Sequence, residues 1–309
     1  MYADLHIHSW YSDGTLTPAE IIEKARSQNV TLISICDHNT IDAYHEIGSH
    51  VEARSSWDTA GIRIIPGAEV TAMMNDVEYH ILAYGFDMQD KGLSDLFTYN
   101  RSVNADMGTK LIEKMAKDYP VSDSKDYPMN GSGDYPLNEN TEHLFISLEE
   151  FASFQRNRRN GGWESIDYLR SKGLVASWDD FSKIVRKYGS PPKNDFLHPS
   201  EVIKIIHDAG GHGVLAHLCH YEKSSTSIAD YEKRAMQFID MGIDGFECYY
   251  PAQAAELTEA LVKLCRQHDL IITAGGDDHG GFIGAPGDEY YIGAVKIAIQ
   301  QLSLRSLDC

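Results

Sequence analysis

Short apolar runs alternate with amphipathic stretches at both ends of the chain, and this alternation predicts its elements. Residues 4–8 (DLHIH) read as a first strand, with His6 and His8 on one face because strand side chains alternate. Thr17 then caps a helix, with Pro18 at its first position and Glu20 closing a capping box; Ile21, Ile22 and Ala25 form its apolar stripe. VTLISIC (30–36) predicts a buried strand that stops at Asp37-His38. IRIIPGAEV (62–70) reads as a strand ending in a carboxylate, and VEYHILAYGF (77–86) as a fourth with His80 inside it. Past residue 198 the alternation returns with a helix over 199–211, a strand GVLAH (213–217) and a helix near 228–241. A strand IDGFECYY (243–250), a helix over 254–268 and a last strand LIITAGGDDH (270–279) follow. Such regular alternation predicts an α/β fold whose parallel sheet closes as a barrel. Barrels of this kind gather their working side chains at the carboxyl ends of the strands.

The middle of the chain breaks the pattern. Residues 91–192 are polar and mostly helical in periodicity, which predicts an inserted helical subdomain between the barrel segments 1–90 and 193–309. Inside it, Asp-Tyr-Pro occurs three times at an eight-residue spacing, from residue 118. Proline at that density forbids helix, and the repeat is too short for a solenoid, so the stretch is expected to be an extended surface loop.

The predicted strand ends carry the chemistry. His6, His8, Asp13, His38, Glu69, His80, His217, Asp277 and His279 all fall where a barrel would deliver them to one mouth. Taken singly, each histidine reads as an ordinary core or surface residue; the joint register is what points to a site. Imidazole and carboxylate without thiolate suit Mn, Zn or Fe rather than a structural cysteine site. Nine donors exceed the needs of one ion, so two or three divalent ions are expected, with Glu69 as a natural bridge through its two oxygens. Asp37 is expected to orient a neighbouring histidine or to cap the turn, and Glu247 to serve the site or a structural hydrogen bond. His45, His50, His143, His207, His212 and His268 keep the plain reading, and Cys219 reads as a buried thiol.

Composition narrows the partners. The 309-residue chain is 42% hydrophobic, enough for a normal core, and no apolar run reaches membrane-spanning length. Its formal net charge of −19 argues against long nucleic acid, while a small phosphorylated substrate is compatible if bound cations supply positive charge locally. The five cysteines are scattered without a CxxC pair and read as free thiols. With no secretion signal recognised near residue 1, a cytoplasmic location is expected.

DLHIHSWYSDG (4–14), ICDHN (35–39), GAEVT (67–71), YHILAYG (79–85), VLAHL (214–218) and GGDDH (275–279) occur in the order found in the PHP (polymerase and histidinol phosphatase) family. The chain resembles that family, within the amidohydrolase-like phosphoesterases, over about 1–90 and 195–285. The resemblance implies a distorted (β/α)7 TIM-like barrel with an inserted, mainly helical subdomain. It also implies three metal positions: His6, His8, Glu69 and Asp277; Asp13, His38 and His279; and Glu69, His80 and His217. Relatives usually show His-Pro-Gly-Arg-Tyr where this chain has His217-Leu218-Cys219-His220-Tyr221, so His220 replaces an arginine. Asn39 stands where a second aspartate is common, and RNRRNGGW (156–163) where an Arg and His pair precedes a helix.

The expected activity is metal-dependent hydrolysis of a phosphate ester. Clustered ions lower the pKa of a bridging water towards neutrality and neutralise phosphate oxygens. The expected substrate is a small nucleotide or ribose phosphate, as a monoester, a cyclic diester or both. Alternatives are a 5′–3′ oligoribonuclease, a 3′,5′-nucleoside bisphosphate or AMP phosphatase, and a lactone or amide hydrolase. Besides Glu69 and Asp37, His220 and His198 are candidates for proton transfer, and Arg158, Arg159, His220 and Tyr221 for substrate contact.

Overall fold

The computed structural model describes residues 1–48, 57–59, 61–119, 145–189, 195–221, 226–281, 290–304 and 307. The Asp-Tyr-Pro repeats from Pro120 onward, together with His50 and His143, lie outside the described residues. The elements run β1 (Tyr2–Ile7), α1 (Pro18–Ser27), β2 (Val30–Ile35), α2 (Asp42–Gly48), β3 (Trp57–Thr59), β4 (Ile62–Ile64), β5 (Gly67–Met74) and β6 (Val77–Tyr84). Helices α3 (Lys91–Asp118), α4 (Leu148–Ser153), α5 (Glu164–Ser171), α6 (Trp178–Tyr188) and α7 (Pro199–Asp208) follow. The chain then continues through β7 (His212–Leu215), α8 (Ile228–Asp240), β8 (Gly245–Tyr249), α9 (Ala255–Gln267), β9 (Ile271–Ala274) and β10 (Ile297–Ala298).

The fold is mixed α/β, and its strands form two five-stranded sheets rather than one closed ladder. Their orders are β10-β1-β2-β4-β3 and β5-β6-β7-β8-β9. The single strand expected over 62–70 is two strands, because Pro66 cannot donate to a ladder; β4 and β5 belong to different sheets. The second sheet is not wholly parallel either. β5 and β6 form an antiparallel hairpin closed by Asn75-Asp76, whose φ values of 53° and 61° are those of a tight primed turn, and β7 also pairs antiparallel with β6.

Two single bridges stitch the sheets together at the carboxyl ends of the strands. Ile7 pairs with Asp278 beyond β9, and His38 pairs with Glu69 at the start of β5. Gly275 permits the first seam: a Cβ there would lie 2.2 Å from His6 Cβ and 2.3 Å from Glu247 Oε1. An inner core containing Ala3, Leu5, Leu32, Leu82, Val214 and Ile271 draws on both sheets. A larger cluster packs α7, α8 and α9 against β5–β9, and α1 and α2 cover the first sheet.

Helix α3 joins two territories. Leu93, Leu96 and Phe97 from its first turns enter the large core, whereas Leu111, Ile112 and Met115 form a separate cluster with α4, α5 and α6. Among the described residues no helix is long and apolar enough to cross a membrane.

Candidate metal centre

The seams fix the site because the residues that make them, or that flank them in the chain, carry its side chains. His6 lies on β1 with His8 just past its end. The chain then folds back so that the Ser12 and Gly14 amides donate to Ser9 O at 3.2 and 3.0 Å, presenting Asp13. Buried Asp37 orders this turn, accepting from Ser9 N at 2.7 Å and lying 2.5 Å from Ser9 Oγ and 2.7 Å from Ser12 Oγ. Ser12 Oγ is in turn 3.4 Å from His8 Nδ1, so Asp37 reaches that ring through one hydroxyl.

All nine strand-end residues meet in one cluster. His6 Nε2 and His8 Nε2 lie 3.1 Å apart; each is 3.2 Å from Glu69 Oε2, and they are 3.5 and 3.2 Å from Asp277 Oδ1. Asp13 Oδ2 is 3.3 Å from His279 Nε2 and 3.7 Å from His38 Nε2. The other oxygen of Glu69, Oε1, is 3.0 Å from both His80 Nδ1 and His217 Nε2. Four overlapping sets keep their donor atoms within 4.8 Å: His8–Asp13–His38–His279, His6–His217–Asp277, His6–His8–Glu69 and His38–Glu69–His80.

These distances fit bound cations. Nitrogen and oxygen ligands about 2.1 Å from an ion sit roughly 3.0–3.4 Å from one another in tetrahedral or octahedral arrangements. Two imidazole nitrogens facing each other at 3.1 Å repel unless a proton or a cation lies between them. His217 Nδ1 is moreover buried with no hydrogen-bond partner among the described residues.

Electrostatics carry the same signature. Burial pushes the Glu69 carboxyl up, but His6, His80 and His38 around it hold it well below the usual carboxylate range. Burial disfavours charge on His8 and His80, yet Asp277 and Glu69 beside His8, and Glu69 and Glu78 beside His80, hold each imidazole at about 10. Burial dominates for His38, whose pKa falls to about 4. Without cations the cluster therefore balances carboxylate charge with protons on several histidines.

Residues 4–154 carry a PHP domain match. The chain's relatives include a 5′–3′ exoribonuclease Rnm of Salmonella typhimurium, 26% identical over 89% of this chain and 84% of that protein. A 3′,5′-nucleoside bisphosphate phosphatase of Chromobacterium violaceum is 24% identical, covering 92% of this chain and 88% of the relative. Among solved structures, a candidate metal-dependent phosphoesterase of Bifidobacterium adolescentis shares the fold, with a TM-score of 0.72 over 99% of this chain and 95% of that one, at 24% identity.

Around the cluster lies a layer of positioning groups. Glu247, in the middle of β8, faces His6 Nδ1 at 3.0 Å and accepts the His217 amide at 2.8 Å. That second bond holds His217 at a φ of 26°, a strained value for a histidine. The Tyr250 hydroxyl donates to Asp277 Oδ2 at 2.8 Å. Glu247 comes from within its strand rather than from the end; Tyr250 follows the same strand but carries no pattern that marks it.

Other expected residues fall elsewhere. His198 is exposed and caps α7, its Nδ1 accepting from Ser200 N at 3.3 Å, so it stands apart from the cluster. The half-buried Tyr221 has its hydroxyl engaged by the His80 main chain, accepting its amide at 2.8 Å. Arg158 and Arg159 are exposed and lie over the rings of Tyr11 and Trp10, and Arg159 also pairs with Glu20 at 2.6 Å; neither joins the cluster. Arg156 takes the inward position, donating to the carbonyls of Trp10, Ser12 and Gly162. Gly162 N donates to Asp13 O at 2.8 Å, and the Trp163 ring lies 5.5 Å from that of His38, which fastens the helical segment beside the mouth. His220 is on the outer side, its ring 4.9 Å from His217 and 5.0 Å from Tyr250. Burial, then His217, pull it down to about 4, so it is neutral at physiological pH.

Proposed function

We propose that the chain is a metal-dependent phosphoesterase acting on a small nucleotide or ribose phosphate, as a monoester, a cyclic diester or both. The carrying observation is the sharing of Glu69: its two oxygens face different groups of histidines at 3.0–3.3 Å. In this reading His6, His8, Glu69 and Asp277 hold one divalent ion, Asp13, His38 and His279 a second, and Glu69, His80 and His217 a third. Manganese, zinc and iron suit this donor set. Bound ions supply Lewis acidity, activating water towards phosphorus and offsetting charge on the phosphate oxygens.

The protein's own groups orient and shield. Glu247 faces His6 Nδ1, which leaves Nε2 to point into the cluster. Asp37 and Ser12 hold the turn that presents Asp13, and Tyr250 steadies Asp277. His220, neutral and on the outer face of His217, serves as a hydrogen-bonding substrate contact; with so low a pKa it carries no imidazolium proton to give a leaving oxygen near neutrality.

The segments 1–90 and 193–309 carry the centre, and 91–192 forms the helical subdomain that edges its mouth through Trp163 and Arg156. A short 5′-phosphorylated oligoribonucleotide is the second reading, favoured by relatives named as exoribonucleases. The charge of −19 weighs against longer polyanions.

A hydrolysis screen with Mn²⁺ tests both readings, following free phosphate for nucleoside monophosphates, 3′,5′-bisphosphates and ribose phosphates, and chromatographic product analysis for cyclic phosphates and 5′-phosphorylated trinucleotides. Turnover of the small esters supports the first reading and preference for the trinucleotide the second. Manganese-loaded protein that cleaves none of them, yet opens lactones or amides, refutes both.

A further inference from the structure

The seam between β2 and β5 is a single bridge, yet it sets the approach of His38 Nδ1 to Glu69 Oε2 at 3.3 Å. Its main-chain bonds run from Glu69 N to Asp37 O (3.1 Å) and from Asn39 N to Glu69 O (2.9 Å). The chain then turns away, with Asn39 at a φ of 52°. The Asn39 side chain continues the pairing: Oδ1 accepts from Thr71 N at 3.2 Å and Nδ2 donates to Thr71 Oγ1 at 3.0 Å. Thr71 sits opposite His80 in the β5–β6 register, so this side-chain ladder lies beside three of the clustered residues.

A residue from the helical segment closes the arrangement. Asn100, fully buried on α3, donates through Nδ2 to Asn39 Oδ1 at 2.8 Å and to Thr71 O at 2.9 Å. Its own Oδ1 is buried without a partner among the described residues. Buried amide oxygens cost free energy when unpaired, so helix packing alone would be served better by an apolar side chain, as at Leu93, Leu96, Phe97 and Val103 on the same helix.

We infer that Asn100 is a positioning residue for His38 and Glu69, through which docking of α3 and metal binding are coupled. This rests on the reading of the cluster as a metal centre. Losing both Nδ2 bonds leaves Asn39 held only by Thr71 and the Glu69 carbonyl, which loosens the Asn39–Thr71 pairing and His38 beside it. Coupling is reciprocal, so ions in the centre also tighten α3.

The test is Mn²⁺ titration of the full-length, metal-stripped chain, comparing wild type with Asn100→Leu, Asn100→Asp and Tyr99→Phe. The Tyr99→Phe control loses a hydroxyl bond from α3 to Asp195 O but touches nothing in the seam. Loss of a group that orients ligands weakens metal binding roughly 10- to 100-fold. That loss is expected in both Asn100 variants and not in Tyr99→Phe, even if all three melt earlier. Wild-type binding with unchanged affinity in both Asn100 variants overturns the inference alone. No binding by the wild type overturns the underlying reading, and the inference with it.

Should the variants fail to fold, hydrogen exchange on the wild type decides. Mn²⁺ is expected to slow exchange in α3 around residues 96–104 while leaving α8 unchanged. Equal α3 exchange with and without the ion overturns the coupling.

Discussion

The strand-end cluster and the helical segment handle charge in opposite ways. At the strand ends, buried carboxylates and imidazoles crowd to 3.0–3.7 Å, with Glu69 and His6 almost wholly removed from solvent. In α3–α6 the ion pairs stay at the surface: Lys183 meets Asp179 at 2.7 Å and Lys187 meets Asp118 at 3.2 Å, all substantially exposed. Surface pairs contribute little, and that region rests on its small core of Leu111, Ile112, Ile166, Tyr168, Leu169 and Ile184. The cluster is costly to keep buried, which makes sense if cations occupy it. Changes at the strand ends should therefore alter metal binding and chemistry first, and changes in the helices stability first.

Glu69→Gln is the strongest test. The amide keeps the shape but removes the charge that five histidines surround and the second equivalent oxygen. Turnover of the best phosphate ester should fall at least ~10³-fold, and metal content per chain should drop. Activity within tenfold of wild type would remove Glu69 from the centre of the argument.

Glu247→Gln should do less. His6 Nδ1 and the His217 amide would keep a hydrogen-bonding neighbour but lose its charge. Weakening of metal affinity by roughly tenfold is expected, with kcat at saturating metal less affected. Metal-binding titrations separate the two effects.

The same contrast explains what the sequence made readable. The helices announce themselves locally: Thr17 and Glu20 form the expected capping box of α1, and Gly210 and Gly211 follow α7. Most of the cluster histidines were visible because they fall at or just past the ends of parallel strands, while Glu69 near the start of β5 and His80 within the antiparallel β6 reach the same place from a hairpin. The alternation predicts one closed parallel barrel, whereas the strands form two five-stranded sheets, joined by seams only one bridge wide that the apolar pattern does not encode. The 62–70 run hid a change of sheet at Pro66, because apolar periodicity does not say which neighbour a strand pairs with. Arg156 was indistinguishable from Arg158 and Arg159 in a basic run, since its role is to reach main-chain carbonyls about 145 residues away in sequence. Asn100 gave no signal at all: a polar residue on an amphipathic helix reads as solvated until its partners, 61 and 29 residues away, are known.

Alkaline pH should separate the regions next. Without metal, His8 and His80 are held at about 10, above the ordinary histidine value of 6.5. A raised histidine contributes its full stability below about pH 6.5 and loses it as pH climbs through its folded pKa. The metal-free chain should thus melt at progressively lower temperature between about pH 6.5 and 10. With ions bound these nitrogens carry no proton, so the loaded protein should hold its Tm over that window, and Mn²⁺ addition should release protons. In the helical segment the shifted carboxylates, Asp118 and Asp180, sit below their ordinary values and lose their contribution only in acid. Parallel melting curves for loaded and stripped protein across this window would contradict the charge balance drawn for the cluster.

The smallest expected effect comes from the N-cap of α6. Ser177 Oγ accepts from Asp180 N at 3.2 Å, while Asp180 Oδ2 accepts from Ser177 N at 3.0 Å and Ala176 N at 3.1 Å. Ser177→Ala removes the first bond and leaves the others, so the helix start loses one of its satisfied amides. Such a loss costs about 1 kcal/mol, which in a protein of this size lowers Tm by roughly 2–4 °C at most. Metal affinity and turnover should stay at wild-type values, because α6 packs on the helical core and supplies nothing to the strand ends. If this exposed cap instead weakened Mn²⁺ binding in proportion to the lost stability, the helical segment would be acting on the centre as a whole rather than through the α3 contact, and the division between the two regions would fail.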